Sequence, residues 1–149
     1  MRIVLCCGDR NWDDQKKVDR ALRHEHKKHP IDFVIEGGQS TPRGWPKFQP
    51  PYGADYQTKI AAQKLGIQVI ECPANWVKFK KGAGPIRNSQ QLRLAVTLAI
   101  EGGHMSNGPE QKLNLLVFAF HSNIKKSKGT KNMVDLVHSH TRAKVRIIK

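Results

Sequence analysis

The sequence predicts an α/β domain, a doubly wound five-stranded parallel sheet in order 3-2-1-4-5 with helices on both faces. Two observations carry this. Short, continuous apolar runs alternate with longer stretches of helical periodicity, the pattern of parallel strands buried on both faces and linked by crossover helices. The glycine-plus-polar clusters all fall after a strand and before a helix, so they share one end of the sheet.

Ile3-Val4-Leu5-Cys6-Cys7 is the first strand, closed by Gly8. Asn11 or Asp13 is placed to cap a helix that runs to about His29, with Val18, Ala21 and Leu22 on one face and Pro30 beyond its end. Ile31 to Ile35 is the second strand, followed by Gly37-Gly38. Residues 39–52 hold four prolines and three aromatics, which excludes a helix or a central strand and marks a long loop insert. Gly53-Ala54-Asp55 opens the second helix, with Ile60, Ala61 and Leu65 on one face and Gly66 at its C′ position. Ile67 to Glu71 is the third strand, and Cys72 to Gly84 a second long connection. The third helix runs from about Ile86 or Asn88 to Ile100, with Leu92, Val96 and Ala99 inward, and Gly102-Gly103 stops it. Residues 104–112 are loop, Leu113 to Phe120 the fourth strand, and Ser122 to Gly129 a basic loop. Thr130 is placed to cap a fourth helix bearing Met133, Val134 and Val137, and Lys144 to Ile148 is the last strand.

The chain of 149 residues suits one domain with a core of its own. Lys and Arg number 26 against 12 Asp and Glu, a formal net charge of +14, which attracts polyanions and phosphorylated ligands. Cys6, Cys7 and Cys72 show no metal-ligand spacing and read as buried thiols in a reducing compartment. No apolar run approaches the ~20 residues of a membrane helix. The first strand starts at Arg2, which leaves no room for a signal peptide, so a cytoplasmic protein is expected.

The strand ends gather Gly8-Asp9-Arg10-Asn11-Trp12, Gly37-Gly38 with Gly53-Ala54-Asp55, Pro73 to Trp76 with Gly84 to Asn88, and His121 to Thr130. Glycines admit an anion close to the backbone, and a helix start offers N–H groups and a positive dipole end. Gly129-Thr130 stands behind Lys125, Lys126 and Lys128 in this way. Asp9 and Asp55 are the carboxylates placed to reach the crevice. Asp55 either caps the second helix or bonds ligand hydroxyls. Arg10 and Arg87 either clamp phosphate or pair with those carboxylates. Trp12, Trp76 and Tyr52 are either base platforms or core rim. There is no Walker lysine motif and no GxGxxG after the first strand. His24-Glu25-His26-x-x-His29 reads as a solvated helix face, and no metal is expected.

Taken in order, Gly8-Asp9-Arg10-x-Trp12, Gly37-Gly38 with Gly53-Ala54-Asp55, Pro73-Ala74-Asn75-Trp76, Gly84-Pro85-Ile86-Arg87-Asn88 and Gly129-Thr130 resemble the YspA-like branch of the SLOG superfamily. This is the Rossmann-like group that includes the Smf/DprA and LOG proteins. The resemblance spans residues 2 to 148. It implies binding or sensing of a nucleotide or nucleotide-derived ligand, in phage or in bacterial conflict and signalling, with no obligatory cofactor and with self-association open. By the same resemblance Gly8, Asp9, Arg10 and Trp12 form the first ligand loop and Gly37, Gly38, Gly53 and Asp55 the second. Arg87 and Asn88 reach the ligand from the third helix, and Gly129 and Thr130 hold phosphate. Two departures stand out. The insert at 39–52 separates motifs that are usually close. The position of the LOG-type catalytic glutamate is Met133, so a binder is favoured over a hydrolase of N-glycosidic bonds; Asp9, Asp55 or Glu36 could substitute for that acid, and no catalytic residue is assigned. A basic DNA- or RNA-binding protein is the other class, since Lys78, Lys80 and Lys81 flank Phe79, and Lys125, Lys126, Lys128 and Lys131 crowd another loop, in a manner that suits single strands.

Overall fold

The computed structural model describes residues 1–38, 53–102 and 113–149. The insert at 39–52, with Tyr52, lies outside the described residues, as does most of the loop before the fourth strand. The strands are β1 (Ile3–Gly8), β2 (Phe33–Glu36), β3 (Gln68–Glu71), β4 (Leu115–Phe120) and β5 (Lys144–Ile148). They form one parallel sheet in the expected order, β3-β2-β1-β4-β5. The helices are α1 (Gln15–Lys28), α2 (Ala54–Lys64), α3 (Trp76–Phe79), α4 (Ala83–Glu101) and α5 (Gly129–His140), with short 3-10 turns at Lys80–Gly82 and Ile124–Lys126.

Pleating sends alternate strand residues to opposite faces. Val4, Cys6, Val34, Leu116, Phe118 and Phe120 meet Val18 and Leu22 of α1 and Ala61 and Ala62 of α2. Ile3, Leu5, Cys7, Ile35, Val117 and Ala119 meet Leu92, Ala95 and Ala99 of α4 and Met133 and Val137 of α5. Cys6 and Cys7 therefore belong to different cores, and all three cysteines are free thiols. Burial, then the neighbouring Cys7, pushes the Cys6 thiol well above its ordinary range, and burial followed by the nearby Asp55 charge pushes Cys7 up to about 12. No described helix is long and apolar enough to cross a membrane.

Several boundaries differ from those expected, each for a local reason. α1 starts at Gln15, after both expected caps, because Asp14 accepts from Lys17 N–H at 3.0 Å while residues 9–12 form a turn of their own. β2 starts two residues late, since Ile31 N–H donates to His26 Nδ1 at 3.0 Å and closes the end of α1 instead. The Cys72–Gly84 connection contains α3, capped by Asn75, whose side chain accepts from Lys78 N–H at 2.9 Å. α4 starts at Ala83 because Pro85 falls in its first turn, where proline is tolerated. Val96 on this helix is only half-buried, and Ala95 takes the central place. β4 starts at Leu115, two residues late. Thr130 does not cap α5; it lies in the first turn, and Ser127 Oγ accepts its N–H at 3.0 Å. Gly66 does occupy the C′ position of α2, with φ +68°.

The histidine-rich helix face is not uniformly solvated. Glu25 is 0% exposed, held by Arg2 Nη2 and by Arg146 Nη1 at 2.9 Å. Burial acts to raise the Glu25 carboxyl, but the Arg2 hydrogen bond and the two guanidinium charges outweigh it and hold the group below its ordinary range.

Candidate functional site

The loop leaving β1 is tied to the start of α2. Asp9 carbonyl accepts from Trp12 N–H at 3.1 Å and from Ala54 N–H at 2.9 Å, and Gly53 N–H donates to Trp12 carbonyl at 2.7 Å. Asp9 Oδ1 accepts from Asn11 N–H at 2.9 Å. These contacts need backbone at close range. A Cβ on Gly8 would stand 2.4 Å from Ala54 Cβ, and one on Gly53 would stand 2.9 Å from Arg10 carbonyl with φ at +103°. Trp12 is buried against Phe120, with ring centroids 5.9 Å apart, and its indole N–H donates to Asp14 carbonyl at 3.1 Å. Its ring is thus part of the α1-side core, while Arg10 is exposed.

Glu36, Gly37, Asp55 and Arg87 meet beside this loop. Arg87 Nη1 donates to Gly37 carbonyl at 2.7 Å and lies 3.5 Å from Asp55 Oδ2. A side chain on Gly37 would overlap both, at 1.7 Å from Arg87 Nη1 and 2.2 Å from Asp55 Oδ2. Gly38 has φ +61° and lies against Pro73. Asp55 is the second residue of α2; Gly53 holds the cap position without a side-chain bond, so Asp55 faces Arg87 instead of capping. Glu36 is 1% exposed, accepts from Gly38 N–H at 2.6 Å through Oε2, and leaves Oε1 without a partner. Burial, then the charge of Asp55, raises its carboxyl to about 8, so it holds a proton at neutral pH.

A second group sits at the start of α5. Asn88, buried on α4, donates to Gly129 carbonyl at 3.1 Å and to Asn132 Oδ1 at 3.0 Å, tying the starts of the two helices together. Gly129 is exposed, its φ is not positive, and nothing lies within 4 Å of where a Cβ would stand. Thr130 is buried and its Oγ1 has no hydrogen-bond partner. His121 follows β4, with Nδ1 accepting from Asn123 N–H at 3.0 Å and Nε2 3.8 Å from Asp9 Oδ2. Met133 is buried in the core, so no acid stands in that turn.

The expected site residues thus fall into two groups on one edge of the sheet. Gly8, Asp9, Gly37, Gly38, Gly53, Asp55 and Arg87 are joined by direct contacts, and Asn88, Gly129 and Thr130 by others. Trp12 belongs to the core, and Arg10 extends outward. Asn132 was not expected; His121 and Ser127 were expected only as members of the strand-end cluster, and Glu36 only as a substitute acid for hydrolysis. Glu36 closes an apolar strand, where an acid reads as the first solvated residue. Its one signal was its place directly before the glycine pair. No cluster of His, Cys, Asp or Glu suited to a metal occurs among the described residues. No protein-family model, curated protein or solved structure matches this chain.

Proposed function

We propose that this chain binds a nucleotide or a nucleotide-derived phosphorylated ligand at the carboxyl edge of its sheet, with a phosphate at the start of α5. The observation that carries the reading is Gly129. Four of the five site glycines are required by their neighbours: a Cβ on Gly8, Gly37, Gly38 or Gly53 would stand under 3.0 Å from another atom. Gly129 alone has neither a close neighbour nor a positive φ, and glycine in a helix is otherwise unfavourable. Its open space lies at a helix N-terminus beside Lys125, Lys126 and Lys128, where backbone N–H groups and the dipole favour an anion. The position also suits the topology. The sheet order reverses between β1 and β4, and open α/β sheets take ligands beyond the carboxyl ends of such strands.

A thermal-shift screen against nucleotides, dinucleotides and cyclic nucleotides tests the reading. A stabilising nucleotide is expected. In Gly129→Ala the ligand-free melting temperature should hold or rise, because alanine is the better helix former, while the ligand-induced shift falls. A full shift in that variant would remove the phosphate from α5. No stabilisation by any nucleotide would defeat the reading.

A hydrolytic activity on the same ligand has one observation in its favour. A protonated Glu36 beside Asp55 is the pairing that general-acid chemistry uses near neutral pH. Mass analysis of a stabilising nucleotide after incubation, with Glu36→Gln as control, separates a binder from an enzyme.

A further inference from the structure

Lysines differ in their surroundings: Lys131 on α5 pairs with Asp135 at 2.6 Å, while Lys16, Lys27 and Lys28 on α1 have no ion-pair partner among the described residues. Lys17, Lys59 and Lys64, on α1 and α2, lie 3.3 Å, 2.6 Å and 3.0 Å from Asp14, Glu71 and Asp19. The sequence has no Asp or Glu from residue 72 to 100, or from 121 to 134, although these stretches hold five and four Lys or Arg residues. Among the described residues, Lys78, Lys80, Lys81, Lys125, Lys126 and Lys128 have no ion-pair partner. The two stretches are neighbours, because Asn88 bonds Gly129 and Asn132 across the helix starts.

The same edge carries exposed apolar side chains. Trp76 is 54% exposed and Val77 is 85% exposed, both on α3. The Trp76 ring rests on the first turn of α4, with Cη2 3.7 Å from where a Cβ on Gly84 would stand. Lys78 Nζ sits 5.1 Å above the Phe79 ring. Lys80 has φ +48°, the one positive φ at a non-glycine residue among those described, and a strained backbone of this kind persists only where something maintains it.

We propose that this edge is a binding surface for single-stranded nucleic acid. Trp76 stacks on a base, and Lys78, Lys80 and Lys81, with the lysines of residues 125–128, follow the phosphates. Unpaired cations on two stretches that meet where Asn88 bonds Gly129 and Asn132 match a chain of repeated anions, and an exposed ring supplies contact that does not depend on base identity. A lipid surface fits less well, because membrane attachment scales with inserted apolar area and α3 offers only two strongly exposed apolar side chains. The surface shares residues 125–128 with the proposed phosphate site, but Trp76, Lys78, Lys80 and Lys81 lie outside that site. The two readings can therefore fail separately.

The test is fluorescence anisotropy of a labelled oligodeoxythymidylate and an oligouridylate, each about 12 nucleotides long, against increasing KCl. Binding should weaken steeply with salt. Trp76→Ala should weaken it about tenfold, with Trp76→Phe restoring most of the loss. Replacing Lys78, Lys80 and Lys81 with Gln should lower the slope of log affinity against log salt by about 2, at ~0.7 per lost phosphate contact. All these side chains are outside both cores, and melting temperatures near wild type confirm that the variants fold. The proposal fails if neither oligonucleotide binds at low salt. It fails equally if binding ignores both the Trp76 and the lysine changes, or if the protein binds phosphatidylserine vesicles and not the oligonucleotides.

Discussion

The α1/α2 side and the α4/α5 side of the sheet each bury a continuous apolar cluster, yet they treat charge in opposite ways. On the α1/α2 side acids are built into the fold: Glu25 between Arg2 and Arg146, Glu36 beside Asp55, and Glu71 with Lys59. On the other side the buried polar groups of α4 and the α5 start are neutral, namely Asn88, Gln91 and Thr130; Arg87 reaches across to Asp55 and Lys131 pairs with Asp135, while Lys78, Lys80, Lys81, Lys125, Lys126 and Lys128 stand in water. The difference teaches where electrostatics serve folding and where they are left over for a partner. Removing charge on the first side should alter stability and its pH dependence. Removing it on the second should alter binding alone.

The largest effect should come from Glu25→Ala, which leaves two guanidiniums facing each other without their anion. A loss of about 3 kcal/mol in urea denaturation is expected, at the low end for a broken buried pair because both arginines keep some access to water. A loss below ~1 kcal/mol would mean the α1/α2 side does not depend on its acids, and the contrast would collapse.

Glu36 gives the intermediate effect and has a definite sign. Its carboxyl is raised in the folded state from 4.5 to about 8, so its stabilising contribution is complete below pH 4.5 and is lost as pH rises to about 8. Glu25 has the opposite sign: held below its ordinary range, it contributes above the unfolded value and loses that contribution in acid. Glu36→Gln should flatten the alkaline limb of a stability–pH profile and leave the acid limb in place. An unchanged alkaline limb would show that Glu36 is ionised in the folded protein. Lys59→Ala should give the smallest effect on stability, because its pair with Glu71 lies at the surface, where water screens it. The same variant at raised salt should match wild type at raised salt even more closely.

The architecture was legible because its punctuation is strong. Gly8, Gly37-Gly38 and Gly66 close elements at positions where a positive φ or a close backbone approach is required, and the apolar runs of β1 and β4 leave little choice of burial. The start of α4 was obscured because Gly84-Pro85 reads as a break, while the first helical turn accepts both residues. α3 is a four-residue helix, too short to show a period. Which residues converge at the edge was also legible, since topology alone assigns them there. What each side chain does there was less so. Trp12 and Trp76 both follow a strand within a polar cluster, yet one is buried against Phe120 and the other stands in solvent. That distinction depends on where α2 and α4 start relative to the sheet, which no local pattern encodes. Glu36 and Glu25 were hidden for a related reason. Their burial is made possible by Gly38 N–H, Arg2 and Arg146, partners supplied by the backbone turn and by distant chain.

The position of β1 has a consequence during synthesis. β1 is the central strand and leaves the ribosome before the other four strands, yet one of its two partners is β4, with Ile3 opposite Leu115. β2 can cover one edge early, but the other edge of this central strand stays open until β4 has emerged. At ordinary translation speeds that wait lasts on the order of ten seconds. An apolar, unpaired edge exposed for so long is a target for chaperones and for aggregation with other nascent copies. Yield in cells should therefore depend on temperature and expression rate more steeply than the stability of the finished fold would indicate.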